Sequence, residues 1–389
     1  MKKIAYVLAE FPVLSETFVT TEMRAMKRLG HEITIISISK GKKSGQNIDS
    51  FLLKEVLYLC NVDNIKLIKS FMLIRMSVLA GIRYLFSQQG LPKLSLLLSA
   101  LKIAYFVKST GCSHIHSHFA HVSASTAILA AKLIDVPVTF VGHGFDVYVE
   151  SDNLRINLQY ADAVIAVCED MKQHLKRLSP SSNISIVHCG VDVDRFSSIG
   201  IPNRNKSGLL LIGRLCEKKG IHVLMKAIAQ MQEDHRPYVD IIGDGTLKKI
   251  FALKAFQLNV HNHIRFLGEK DTGWLLQNQY KYRALVAPFC LAENGDRDTG
   301  PIVIKEAMAL KMPVLATRFM GVKEIVSEKT GCLVEPNNVS SLVNGINQIM
   351  AMSEKRLIEM GNTGRQRILS RFTSDRQAIN LSHLIENLA

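Results

Sequence analysis

The sequence has no cysteine pair at the spacing of a zinc knuckle. Its seven cysteines are scattered through 389 residues, are odd in number, and never form a C-x-x-C motif. This pattern argues against a disulfide framework and indicates a reducing compartment. The N-terminal apolar run, residues 4–8, is too short for a signal-peptide core and is soon followed by Glu10. We therefore expect a cytoplasmic protein whose first strand lies in this run.

Acidic residues are absent between Asp63 and Asp135, a stretch that contains eight lysines and arginines. No run within it combines the apolarity and the length of about 20 residues that a membrane span requires. Basic residues interleaved with large apolar ones fit helices that rest on an anionic bilayer, where each cation contributes about 1 kcal/mol. Residues 66–108 are therefore a candidate surface for peripheral contact with the inner face of the cell membrane. Solvated lysines on ordinary sheet-covering helices are the alternative.

The whole chain is basic, because 48 lysines and arginines exceed 34 aspartates and glutamates by 14. An anionic partner follows: nucleic acid, a phosphorylated small molecule or an acidic membrane. No helix-turn-helix, zinc motif or aromatic RNA-binding element supports nucleic acid. With 47% hydrophobic and 21% charged residues, the composition excludes a disordered or fibrous chain.

Short β-branched or apolar runs alternate with segments of helical spacing, such as 16–29, 222–231 and 302–310. This alternation is typical of parallel α/β sheets. Eleven such runs are too many for one comfortable open sheet, and the turn-rich stretch 196–208 reads as a linker between two domains. The predicted strands are 4–8, 33–38, 138–141, 163–167, 184–187, 209–212, 239–242, 264–267, 284–287, 314–316 and 332–334.

A helix-opening signal, Gly300-Pro301, follows Asp298. Proline is tolerated in the first turn, and the free N–H groups there make an anion site. Glu306 would lie on the next turn, where it can accept paired hydrogen bonds from adjacent hydroxyls such as those of a ribose. An exposed acid and an ordinary helix glutamate are the alternative.

A second motif, residues 213–220, follows a predicted strand and precedes a helix. Cations at the carboxyl end of a strand lie where open α/β sheets bind ligands. Arg214 and Lys219 can neutralise a diphosphate there, unless the segment is only a charged surface loop. The Gly243-Asp244-Gly245 turn after the next strand could bring its backbone close to the same ligand.

Histidines stand out in the first half. His143 lies between two glycines, which leaves its imidazole approachable, although a plain loop histidine is the alternative. A second group contains histidines at alternate positions, and alternate residues of a strand share a face. No cysteine or carboxylate interleaves with this group, and we therefore predict no metal site. The group consists of His114, His116, His118 and His121. Upstream, Ser15 is a plausible N-cap of the first helix.

These motifs stand in the order of one known family over nearly the whole chain. Taken together, they resemble the family 4 retaining glycosyltransferases of the GT-B fold, in the branch that makes exopolysaccharide and colanic acid. Asp298 departs from the pattern, since the first acid of the E-x7-E element is usually glutamate. The blocks are 11–12, 15–18, 30–32, 116–120, 142–146, 161–165, 190–192 with 196, 213–215, 218–220, 243–245, 288, 306–309, 313–314, 321 and 324.

The resemblance implies a role for each site residue. Asp298 would contact the sugar near its reacting carbon, and Glu306 would hold the ribose hydroxyls. Arg214 and Lys219 would stabilise the departing diphosphate, so that no metal and no cofactor is needed. His143 would position the reacting sugar or the acceptor. The residues expected to bind the nucleotide sugar are Gly213, Arg214, Lys219, Gly243, Gly300, Ile302, Val303 and Glu306.

The same resemblance implies two Rossmann-like domains facing each other across a cleft. Residues 1–195 would take the acceptor, residues 205–370 would bind the nucleotide sugar, and a helix at 371–389 would cross back onto the first domain. The expected reaction is retaining transfer of a hexose from a nucleotide-diphosphate sugar to a lipid-linked or growing saccharide of a surface polysaccharide. The alternatives are a GT-B epimerase or phosphorylase and a nonenzymatic carbohydrate- or nucleotide-binding protein.

Overall fold

The computed structural model describes residues 1–13, 16–41, 56–62, 78–196 and 207–388. The chain divides into two compact units: Met1–Cys189 with Asp375–Ala389, and Gly190–Ser374. Each unit is built on one sheet in which every described strand pair is parallel. These two α/β units confirm the predicted fold class. Among the described residues, no helix has the length and apolarity to cross a membrane.

The first unit carries a seven-stranded sheet in the order β3-β2-β1-β4-β5-β6-β7. A parallel strand with helices on both faces is buried on both sides and therefore reads as a continuous apolar run. β1 fits this rule, since Ile4, Ala5, Tyr6 and Val7 are fully buried. The strands are β1 (Lys3–Phe11), β2 (Glu32–Lys40), β3 (Val56–Tyr58), β4 (His114–His118), β5 (Val138–Val141), β6 (Ala163–Ala166) and β7 (Ile184–Ile186).

Helices connect these strands and cover the sheet. Numbering only helices among the described residues, they are α1 (Thr17–Arg28), α2 (Val78–Ser87), α3 (Lys93–Ser109), α4 (Val122–Ile134), α5 (Phe145–Tyr148), α6 (Leu154–Tyr160) and α7 (Glu169–Leu178). α4 is buried along almost its whole length, which explains its run of alanine and leucine.

The second unit carries a six-stranded sheet in the order β10-β9-β8-β11-β12-β13. Its strands are β8 (Gly208–Ile212), β9 (Tyr238–Ile242), β10 (Ile264–Gly268), β11 (Tyr282–Ala287), β12 (Val314–Thr317) and β13 (Gly331–Val334). Its helices are α8 (Ile221–Gln230), α9 (Lys248–Gln257), α10 (Thr272–Asn278), α11 (Ile302–Ala309), α12 (Val322–Ile325), α13 (Val339–Ala351) and α14 (Glu354–Arg371). Two apolar clusters form its core.

All eleven predicted strands are present, and the helix predicted at 16–29 is α1. Two strands were missed. β3 is a three-residue edge strand, and β4 is hidden by its composition, because it contains three histidines and a serine. Most of the predicted linker, 197–206, lies outside the described residues, as do the predicted N-cap Ser15 and basic residues 66–77.

The chain passes between the units twice. Val191 forms a parallel bridge with Thr373, and a Cβ on Gly190 would lie 2.4 Å from the Thr373 carbonyl oxygen. This crossing assigns 190–196 to the second unit, whereas the prediction gave 1–195 to the first. The helix predicted at 371–389 is α15 (Ser374–Glu386). It contacts the first unit through a 2.8 Å hydrogen bond between His31 and Ser382.

Two glycines of α14 give a matched test of how closely α14 packs beside α11. A Cβ on Gly361 would lie 2.1 Å from the Lys311 carbonyl oxygen, whereas one on Gly364 would make ordinary 3.7 Å contacts with Met308. Replacing a helical glycine by alanine stabilises by about 0.5–1 kcal/mol where space allows. Overpacking costs about 1–3 kcal/mol.

We therefore expect Gly364→Ala to raise the free energy of unfolding and Gly361→Ala to lower it. Urea denaturation of both variants beside the parent protein measures the difference. Equal effects of the two substitutions would contradict the close approach of α14 to the Lys311 backbone.

Candidate active site

The loops that follow β8 and β9 lie against each other at the carboxyl ends of these paired strands. The Gly213 amide donates to the Ile242 carbonyl at 3.0 Å, and the Leu215 amide donates to the Asp244 carbonyl at 2.8 Å. Gly243 has a φ of 130°, and a Cβ there would lie 2.0 Å from the Gly213 carbonyl oxygen. Glycine is therefore required at 243. This is the edge at which open α/β sheets bind ligands.

A cluster of four charges lies where the β8 loop meets the segment after β11, since β8 and β11 are neighbours in the sheet. Lys219 Nζ is 2.8 Å from Asp298 Oδ2. Lys218 Nζ is 3.0 Å from Asp296 Oδ1 and 3.9 Å from Asp298 Oδ1. The structure thus joins two predicted site residues in one ion pair and adds a second pair that sequence reasoning missed.

The ion pair of Lys219 and Asp298 is largely shielded from solvent, with side-chain exposures of 13% and 17%. Burial raises the pKa of Asp298, but the charges of Lys219 and Lys218 outweigh it and hold that pKa below its ordinary value. Asp298 is therefore a carboxylate at neutral pH. Breaking such a pair leaves a poorly solvated charge, so the two side chains depend on each other. Arg214 on the same loop is exposed.

The helix predicted after Gly300-Pro301 is present, but its proline lies one position before the first turn. Pro301 is the N-cap, and α11 begins at Ile302. The first amides of a helix have no partner within it, so the first turn, which includes half-buried Ile302 and Val303, offers N–H groups to an anion. The preceding loop, which includes Gly300, is fixed by a 2.9 Å bond from the Gly321 amide to the Thr299 carbonyl.

Glu306 lies on the next turn of α11 and is half-buried. Burial raises its pKa to about 7, and the charge of Arg195 opposes that rise only in part. Near neutral pH the side chain therefore exists in both protonation states. Hydroxyl donors such as those of a ribose would favour the carboxylate, which is an acceptor at both oxygens.

His143 belongs to the first unit and follows β5. Its backbone N–H donates to Asp146 Oδ1 at 3.1 Å. The imidazole contacts Phe18 and Phe119, with ring centres 4.7 and 4.6 Å away, and its plane is within 14° of that of His118, whose Nδ1 is 3.1 Å from His143 Nε2. Burial, assisted by the charge of His118, lowers the pKa of His143 well below its ordinary value. The ring is therefore neutral at physiological pH.

The alternating histidines of β4 meet a carboxylate that the sequence analysis did not anticipate. Glu22 of α1 places Oε1 3.1 Å from His118 Nε2 and 3.3 Å from His116 Nε2. Among the described residues, these three form the one group whose ligand atoms are close enough to share a metal ion. The argument that no carboxylate interleaves with the histidines is thus wrong for the folded chain, while the absence of a bound metal stays a prediction.

A sequence signal for Glu22 did exist. Val19, Met23 and Met26 recur at helical spacing on the buried face of α1, and Glu22 shares that face. A buried carboxylate needs hydrogen-bond donors around it. A glutamate at a core position of an amphipathic helix therefore indicates a buried polar network.

Comparison with known families now decides the identity. Residues 15–195 match the family model described as Glycosyltransferase Family 4, and residues 194–367 match the one described as Glycosyl transferases group 1. The chain belongs to these glycosyltransferases. The two matches adjoin at 194–195, close to the crossing between the two units.

The glycosyltransferase is similar along its whole length to proteins named for polysaccharide biosynthesis. It is 24% identical over 99% of its residues to the full length of the "Putative colanic acid biosynthesis glycosyltransferase WcaL" of Salmonella typhimurium. It is 21% identical to the "Amylovoran biosynthesis glycosyltransferase AmsK" of Erwinia amylovora, with both chains fully covered.

Solved structures share its fold. A glycosyltransferase from Rickettsia africae has a TM-score of 0.75 at 20% identity, over 100% of this chain and 98% of the other. Anabaena Alr3699/HepE, solved in complex with UDP, has a TM-score of 0.74 at 16% identity, over 99% of this chain and all of the other.

The raised pKa of Glu306 predicts how pH changes the stability of the glycosyltransferase. Because the folded pKa of about 7 exceeds the reference value of 4.5, the native state binds more protons between these values. Its free energy of unfolding therefore contains a contribution that falls as pH rises from about 4.5 through 7. Glu306→Gln lacks this contribution.

We expect the stability of the parent relative to Glu306→Gln to fall between pH 5 and pH 8, as measured by urea denaturation. Glu328→Gln, which removes an exposed carboxylate of the same unit, is the matched control. A parent-minus-variant difference that does not change with pH would show that Glu306 ionises normally in the folded protein.

Proposed function

We propose that this glycosyltransferase transfers a hexose from a nucleotide-diphosphate sugar to a lipid-linked or growing saccharide, with retention of anomeric configuration and without a metal or cofactor. The observation that carries the proposal is the convergence of the cationic 213–220 loop on Asp298, on the segment that leads into α11. The printed names of WcaL and AmsK support polysaccharide biosynthesis, and the HepE complex supports a nucleotide donor.

In the proposed reaction, the bond between the anomeric carbon and the diphosphate oxygen breaks, and its electron pair leaves with the diphosphate. Arg214 and Lys219 stabilise that negative charge as it develops, and preorganised cations of this kind lower the barrier. The amides that open α11 add donors to the phosphates. The acceptor hydroxyl attacks from the leaving-group face, and its proton passes to a phosphate oxygen.

The remaining residues orient the reactants. Asp298, held as a carboxylate by Lys219, faces growing positive charge on the sugar, and Glu306 accepts hydrogen bonds from the ribose. These donor-binding residues belong to the second unit, Gly190–Ser374. The first unit, Met1–Cys189 with Asp375–Ala389, takes the acceptor. Its neutral His143 positions the transferred sugar or the acceptor hydroxyl.

Removing either cation of the leaving-group site tests the proposal. Arg214→Ala and Lys219→Ala are each expected to lower kcat by about 100-fold or more, the loss typical of one electrostatic donor. The assay follows sugar transfer with a donor chosen by thermal-shift screening of nucleotide sugars, and NMR of the product reports its anomeric configuration.

Lys226→Ala is the matched control, because Lys226 is an exposed cation of α8 in the same unit. Near-normal turnover in both site variants would remove the leaving-group assignment. Inversion of configuration would overturn the retaining part of the proposal. Loss of activity on exhaustive chelation would overturn the metal-independent part. Turnover without an acceptor would indicate an epimerase.

We also propose that residues 66–108 of the first unit contact an anionic membrane surface. A lipid-linked acceptor would be anchored in that membrane. In the described part of this segment, three large apolar side chains share one face of α2. Leu79 is 70% exposed, Ile82 is 43% exposed and Phe86 is 72% exposed. Exposed Arg83 lies on the same helix, and no carboxylate occurs nearby in the sequence. A helix with an exposed apolar face and a neighbouring cation can lie in the interfacial region of an anionic bilayer.

Vesicle binding tests this surface. We expect the double substitution Leu79→Ser/Phe86→Ser to weaken binding to anionic vesicles at low salt by about tenfold or more, since each buried side chain of this size contributes roughly 1.5–3 kcal/mol. Leu253→Ser/Phe256→Ser removes two similarly exposed side chains, 65% and 62%, from α9 of the second unit and is the control. Equal effects of the two pairs, or no vesicle binding by the parent, would contradict the proposal.

A further inference from the structure

We propose that Lys218 is a positioning residue of the donor site: it takes over the charge of Asp298 when Lys219 turns from that carboxylate to the diphosphate of the donor. The inference deepens the proposed function, and it rests on that function for the roles of Lys219 and Asp298. In this role Lys218 acts through Lys219 and does not touch the substrate.

The proposed reaction asks Lys219 to serve two anions. Its Nζ lies 2.8 Å from Asp298 Oδ2 and 4.8 Å from the centre of the Phe289 ring. Within the described part of the chain, that buried oxygen has no hydrogen-bond donor apart from Lys219. A diphosphate that drew Lys219 away would therefore leave Asp298 as a buried charge without a partner, which is strongly unfavourable.

Lys218 is placed to replace that partner. Its Nζ is 3.9 Å from Asp298 Oδ1, which is beyond hydrogen-bond range but close enough for an ion pair. Because the charge of a carboxylate is shared by its two oxygens, a cation at Oδ1 offsets the loss of one at Oδ2. Burial raises the pKa of Asp298, and the charges of Lys219 and then Lys218 bring it below its ordinary value. Lys218 is thus already a counter-ion of Asp298.

Asp296 keeps a donor if Lys218 moves toward Asp298. Lys218 Nζ is 3.0 Å from Asp296 Oδ1, and the same oxygen accepts from the Arg297 backbone N–H at 2.8 Å. The backbone N–H of Asp296 donates to Asn294 Oδ1 at 3.0 Å. Asp296 therefore stays in place and partly satisfied when the lysine leaves it.

The backbone holds the Lys218 side chain beside both carboxylates. The Lys218 carbonyl accepts from the Cys290 amide at 3.0 Å, which ties the β8 loop to the segment after β11. Only 9% of the Lys218 side chain is exposed. With its backbone fixed in this way, Lys218 can exchange between Asp296 and Asp298 by a movement of its side chain alone.

Calorimetric titration of the full chain with UDP, GDP and ADP tests the exchange, because a nucleoside diphosphate carries the leaving group but no sugar for Asp298 to contact. The nucleotide that the parent binds most tightly is used for every variant. We expect Lys218→Met to weaken its binding about tenfold or more, the factor of one hydrogen bond to a charged group, since Lys219 then stays with Asp298. Adding Asp298→Asn to Lys218→Met removes that competitor and should restore most of the affinity.

Two further variants separate positioning from a structural role. Lys218→Met/Asp296→Asn removes the acid that Lys218→Met leaves unpaired, and it carries the test if Lys218→Met does not fold. We expect its affinity to stay low, because Asp298 still holds Lys219. Lys226→Met removes an exposed cation of α8 in the same unit and should leave binding unchanged. Urea denaturation checks that each variant is folded.

Parent-like affinity in folded Lys218→Met overturns the inference. Recovery in Lys218→Met/Asp296→Asn also overturns it, because the loss would then come from an unpaired Asp296. Weak binding that persists in Lys218→Met/Asp298→Asn does so too, because Lys218 would then touch the diphosphate itself.

Failure of the proposed function appears elsewhere. Unchanged binding in Lys219→Met, or a parent that binds no nucleoside diphosphate, removes the leaving-group site and this inference with it. The three outcomes that overturn only the inference leave that site in place, since Lys219→Met then still loses affinity.

Discussion

Parallel pairing of strands that are buried on both faces is the constraint on which the two units depend. This pairing satisfies the backbone hydrogen-bonding groups inside each sheet. The polar side chains of the candidate site therefore lie in the segments that follow the strands. In the second unit, the order of the sheet places the β8 loop beside the segments after β9 and β11. Residues distant in the sequence, such as Lys219 and Asp298, thereby become an ion pair.

Carboxylates that are wholly or partly buried organise both units, but in different ways. Asp298 is balanced by a lysine and so keeps its charge beside a site proposed for an anion. Glu22 is balanced by polar partners from three elements, Tyr6 of β1, His118 of β4 and Gln377 of α15. Glu306 is half-buried, and the charge of Arg195 offsets only part of the effect of burial. Its pKa of about 7 means that a bound ligand can change its charge near neutral pH. The carboxylate group thus acts as a counter-ion at Asp298, as the centre of a hydrogen-bond network at Glu22 and as an acceptor of variable charge at Glu306.

Sequence patterns predicted the apolar strands well, because burial on both faces produces runs that are visible without knowledge of their neighbours. They failed at β4, whose three histidines look polar yet are buried against Glu22 and Thr139. The motifs 213–220 and 298–309 identified segments at the ends of strands, but not the pairing of Lys219 with Asp298, which depends on sheet order. Glu22 and Gln377 are more than 350 residues apart, so no local pattern could join them.

The return of α15 to the first unit also has a consequence for biosynthesis. Residues 375–389 emerge from the ribosome after the whole of 190–374, yet Gln377 supplies a partner to a carboxylate in the first helix. The N-terminal unit therefore completes its interior only when translation of these residues has ended. A nascent chain can form the β1–β7 sheet early, but the polar network beneath His143 remains incomplete until then.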